Sequence, residues 1–196
     1  MRKISWTSPA PRRGIAGEWD KFIGPGATRA ELWLILLPAL LAGIAAPVHA
    51  WQQALDWTGW QLLAASLLAL DLVGGVTANA TTAAKRWYHR DGQGWLAHLR
   101  FTAVHIFHLA LVAWLFAGGD WGYLALSYGY LLLAAWGIVR SPLRLQRPLA
   151  MLLYLGSLLL ALYVLPTLPG LEWFLPVFYL KLLLSHLVQE APFCQG

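Results

Sequence analysis

Two histidines, His105 and His108, stand three residues apart inside the apolar run FTAVHIFHLALVAWLF, residues 101–116. Neutral imidazole can ligate zinc or iron, carry a proton near neutral pH, or hydrogen-bond another helix, and it is costly to bury without a partner. Other ionisable residues recur within apolar runs: Asp71 in LLALDLVGG, and Lys181 and His186 in YLKLLLSH, followed by Glu190. Ionisable groups at membrane depth are rare and mark functional sites by default.

Helical spacing brings several of them onto common faces. At 100° per residue, His98, His105 and His108 fall within about 80° of one helix face. His186 and Glu190 are four apart and share a face in an α-helix. Asp71, His105, His108 and His186 therefore form a candidate metal-ligand set drawn from three helices, for zinc or iron, with Asp71 or Glu190 as the catalytic proton carrier. An open coordination position would activate water for hydrolysis, and iron would allow oxidoreductase chemistry. Three other readings use the same residues. Axial histidines could hold a b-type haem, Asp71 with the histidines and Lys181 could form a proton or ion relay in a transporter, or all could be interhelical glue in a scaffold or assembly factor.

The segment DLVGGVTANATTAAKRWYHR, residues 71–90, reads as a small-residue packing face running into a basic, aromatic boundary. Lys85, Arg86 and Arg90 would attract anionic headgroups, with Trp87 and Tyr88 at the interface and Asn79 at the pocket mouth. Lys181 would meet the substrate headgroup or pair with Asp71. His98 is expected at the interface and His89 in solvent or among headgroups.

These residues need elements to position them. Of the 196 residues, 59% are hydrophobic and 12% charged, about half the charge usual for a soluble domain. The apolar stretches are continuous, which favours membrane helices over barrel strands. Six spans are expected, at about 31–50, 59–80, 97–117, 121–139, 148–166 and 171–190. They follow a basic leader, 1–30, in which GIAGEWDKFIGPG suits a short interfacial helix, and precede a tail, 191–196. The leader's charged region is too long for an ordinary signal peptide.

Connections 51–58, 118–120 and 167–170 lack Lys and Arg, whereas 1–30, 81–100 and 140–147 hold all 14 basic residues except Lys181. The positive-inside rule then puts both termini in the cytoplasm, as in a multi-pass protein of the bacterial inner membrane, and sets the polar cluster in the cytoplasmic half of the bundle. A helix rise of 1.5 Å per residue places Asp71, His105 and Lys181 roughly 12–14 Å from that side. The single cysteine, Cys194, permits no intrachain disulfide. The basic residues border apolar spans and form no nucleic-acid motif. The expectation is an all-α integral membrane protein, a metal-dependent enzyme acting on a lipid or apolar substrate from the cytoplasmic leaflet.

Overall fold

The structure, a computed structural model, describes residues 7–190; the tail with Cys194 lies outside them, as do residues 1–6. The described chain is helical throughout, with α1 (Ile15–Ile23), α2 (Arg29–Gln52), α3 (Gly59–Ala80), α4 (Thr82–Tyr88), α5 (Trp95–Val104), α6 (Ile106–Leu115), α7 (Trp121–Arg140), α8 (Leu143–Tyr163) and α9 (Phe174–Tyr179). A π-helical segment, Leu180–His186, continues α9. Among the described residues, five helices are long and apolar enough to cross a membrane: α2, α3, α5 with α6, α7 and α8. Phe174–His186 is a shorter apolar helix.

Local chemistry sets the ends. Thr28 and Thr58 start α2 and α3 with reciprocal caps, each side chain accepting from the backbone three residues on while Glu31 or Gln61 reaches back. Asp120 caps α7 by accepting from Tyr123 N at 3.0 Å. The fifth span starts earlier than its apolar run, at Leu143, because Arg144 and Arg147 carry on the helix below Pro148. The third span is divided at His105, where amides bond three residues back, His105 N to Thr102 O and His108 N to His105 O, each 3.1 Å. Tyr128 of α7 donates to Ala103 O at 3.1 Å, partnering a carbonyl beside that break.

A proline inside α2 shows how the bundle closes its polar accounts. Pro47 has no N–H for the Gly43 carbonyl, and Ser66 Oγ of α3 donates to that oxygen at 2.5 Å. The helices approach closely there, since a Cβ on Gly43 would sit 3.4 Å from Ser66 O. α2 otherwise turns Trp33, Leu37, Leu41 and Ile44 outward, as a lipid-facing helix does.

The segment expected as the sixth span is the centre of the bundle. Phe174, Phe178, Tyr179, Leu182 and Leu183 are fully buried, as befits a helix that is apolar all round. α3, α7 and α8 surround it, α2 packs on α3, and α5 and α6 pack on α7. Tyr179 OH fastens it to Ser127 O of α7 at 2.9 Å.

The leader folds against the bundle end. Asp20 of α1 is buried and held by Arg12, with Nη2 to Oδ1 at 2.7 Å and Nε to Oδ2 at 2.9 Å. Gly24, at φ 95°, lies on the Ala83–Ala84 backbone, where a Cβ would overlap it. Tyr88 OH donates to Phe22 O at 3.0 Å, and Ile23 packs with Ile35 and Ala78.

Candidate functional site

The polar residues gather in two clusters, and the division runs through the expected ligand set. In the first, Asp71 Oδ2 accepts from Lys181 Nζ at 2.6 Å and from His108 Nε2 at 2.9 Å. Three elements contribute: α3, α6 and the π-helical segment. Lys181 is 5% exposed, and its stem passes over Gly75, where a Cβ would overlap Lys181 Cε and Cδ. The ammonium supplies at depth the positive charge that the carboxylate requires.

This pairing sets the tautomer of His108. In the neutral ring, Nε2–H donates to the carboxylate and leaves the lone pair on Nδ1, which is buried without a hydrogen-bond partner among the described residues. His105 stacks on His108 with ring centroids 5.0 Å apart and planes 17° apart. Its own Nδ1–H donates to Phe101 O at 2.8 Å. Asp71 Oδ2 takes both bonds, and among the described residues Oδ1 accepts none.

Asp71 and His108 end an apolar groove of about 690 Å³ between α3 and α6. Ala64, Leu67, Phe107 and Leu111 form its walls, and Thr58, Trp60 and Trp114 its far end. Leu67, Phe107 and Trp114 are more than half exposed, so the groove opens sideways where lipid would lie. It runs from the polar pair toward the end of the bundle that lacks Lys and Arg.

His186 belongs to the second cluster. Its Nε2 shares a 3.3 Å hydrogen bond with His98 Nδ1, and its backbone oxygen accepts from His89 Nε2 at 2.9 Å. The His89 ring stacks on His98 at 4.4 Å, and Phe101 stacks on His186 at 3.9 Å. His98, expected at the interface, is buried, and His89 is half-buried. The short α4 turns back over the bundle end and carries His89 inward, a tertiary contact with no local signal in RWYHR. Burial, then the charges of His98 and Lys85, push the His89 imidazole down to about 3.

The expected set of Asp71, His105, His108 and His186 is therefore shared between two places. Among the described residues, no group of three or more His, Cys, Asp or Glu is arranged to hold a metal ion. His98 and His186 are in direct contact, with no space between their rings for a haem. Glu190 pairs with Arg147 at 3.7 Å rather than with His186.

The expected headgroup residues also separate. Asn79 is buried, with Nδ2 unpartnered among the described residues. Arg86 donates to Pro25 O at 3.2 Å, fastening the leader. Arg90 bonds Trp87 O and lies over the Trp87 ring. Lys85 is buried, and Lys181 belongs to the Asp71 cluster.

What the arrangement can do follows from the first cluster: a carboxylate with one oxygen committed and the other without a partner among the described residues, at one end of an apolar groove, beside an imidazole. Such a group can hold and deprotonate the polar head of an apolar molecule. Neither family models, nor curated proteins, nor solved structures give a match to this chain.

Proposed function

We propose that this chain is a six-span enzyme with both termini in the cytoplasm, acting on a lipid or other apolar substrate by proton transfer at Asp71. The observation that carries this reading is the position of Asp71 and His108 at the end of an apolar, laterally open groove. The apolar portion of the substrate would lie along α3 and α6. Its hydroxyl, amine or attacking water would meet Asp71 Oδ1, while His108 and Lys181 hold the carboxylate through Oδ2. The basic segments orient the bundle by the positive-inside rule. On that orientation the groove opens to the outer leaflet, not the cytoplasmic one.

Zinc or iron would use the free Nδ1 of His108, yet His186 faces His98 and leaves that nitrogen short of companions. The acid–base reading needs no further ligand. Purified protein in lipid nanodiscs, incubated with a membrane lipid extract and followed by mass spectrometry, should deplete one component. Asp71→Asn should slow that conversion by about 100-fold or more. Ala64→Phe, which fills the groove and leaves Asp71 in place, should abolish substrate retention. Unchanged lipid in all samples, with equal retention by Ala64→Phe, would remove the proposal. Near-stoichiometric zinc or iron in the purified protein would replace it with the metal-dependent form.

A further inference from the structure

Lys85 is a buried cation that forms no ion pair among the described residues. It is 3% exposed, and among the described residues its ammonium has one acceptor, Val188 O at 2.5 Å. Two of its three N–H directions thus meet no acceptor among the described residues. Glu190 is the acidic neighbour that bears on it, but forms no ion pair with it within 4.0 Å and pairs instead with Arg147. A buried charge lacking a partner is strongly unfavourable, so the position calls for an anion.

The surroundings describe which anion. A cavity of about 260 Å³ beside Lys85 is also lined by Arg147 of α8 and Ser185 of the π-helical segment, with Glu190 at its edge. Arg147 is largely exposed and held by one loose contact, so its guanidinium is available for bidentate bonding. Met151 and Leu184 form part of the remaining, apolar wall, and Met151 is 55% exposed on the outer face of α8. Two cations and a hydroxyl over an apolar wall suit a phosphate that carries acyl chains.

We propose that Lys85, Arg147 and Ser185 form a binding site for a phosphate group, of the kind borne by an anionic phospholipid, at the basic end of the bundle. The site is separate from the groove of α3 and α6 and does not depend on the function assigned to it. Lys85 would hold the phosphate from within and Arg147 from the lipid side, with Glu190 turned away. Burial lowers the Lys85 amine to about 8, and a bound anion would draw it back up.

Native mass spectrometry of delipidated full-length protein, titrated with dioleoylphosphatidylglycerol, dioleoylglycerol or inorganic phosphate, tests this. One tight equivalent of phosphatidylglycerol is expected, weakened about tenfold by Arg147→Gln and strengthened by Glu190→Gln. Both substituted side chains are well exposed, so these variants fold. Complete competition by inorganic phosphate would identify free phosphate as the ligand of the same site. Phosphatidylglycerol binding no tighter than dioleoylglycerol would overturn the proposal, as would affinity unchanged in both variants.

Discussion

Lys181 reaches Asp71 across Gly75: the lysine stem occupies the space that any side chain at residue 75 would fill. The 2.6 Å ion pair between α3 and the central segment thus rests on a missing methyl group. Gly75→Ala should lower stability by about 1–3 kcal/mol through overpacking. Tryptophan-fluorescence melting in detergent would measure it, and an unchanged melting temperature would show that Lys181 has another path.

The ion pair itself should be strongly coupled. Lys181→Met leaves the carboxylate without its cation and should cost roughly 3 kcal/mol or more. Adding Asp71→Asn should restore part of that loss, so that the double variant is more stable than the sum of the singles. Additive effects would mean that the pair contributes nothing beyond its two side chains.

Acid should weaken the fold through His89. Its imidazole is held near 3 in the folded chain against an ordinary 6.5. Between those values the unfolded chain binds a proton that the folded chain does not, so stability falls as pH drops from 6.5 toward 3. His89→Gln should flatten the melting curve between pH 7 and pH 5. An identical pH response in the variant would move the effect to other groups.

Lys85 has the same sign in alkali. The amine lies near 8 when folded and 10.5 when free, so stability of the anion-free protein should rise as pH increases from 8 to 10.5. Lys85→Met should remove that rise. With phosphatidylglycerol bound the rise should shrink, because the anion favours the charged amine.

The orientation of the bundle can be read with the chain's single cysteine. Cytoplasmic termini predict that a membrane-impermeant maleimide labels Cys194 in inside-out vesicles and spares it in intact cells. In a Cys194→Ser background, Gln53→Cys, between α2 and α3, should show the reverse pattern. The opposite outcome would invert the leaflet to which the groove opens.

Much of the scaffold was legible because hydrophobic length is a strong signal. The second span, 59–80, coincides with α3, and Thr58 and Gln61 mark its start within the sequence. Asp71, His105 and His108 stood out for the same reason: charge within an apolar run has few explanations. The partnership of His186 was hidden because depth in the bilayer does not say which helix a side chain meets, and His98 reaches it from α5. His89 and His98 were hidden because their burial depends on how α4 folds back, which no local pattern encodes. The groove was hidden because it belongs to the space between α3 and α6 rather than to either helix.

The wide winding of residues 180–186 accommodates one residue more than an α-helical turn would hold. Lys181 and His186 are five residues apart, which an α-helix would set about 140° apart, whereas bonding from i to i+5 brings them closer to one face. One segment can therefore serve Asp71 at one end and His98 at the other. Removing a single residue between them would let the coil close to α-helix, where residues four apart stand about 40° from each other, so the two side chains should keep a common face. Truncating Leu182 or Leu183, both fully buried, should by contrast cost about 2–5 kcal/mol, so the buried leucines constrain this stretch firmly.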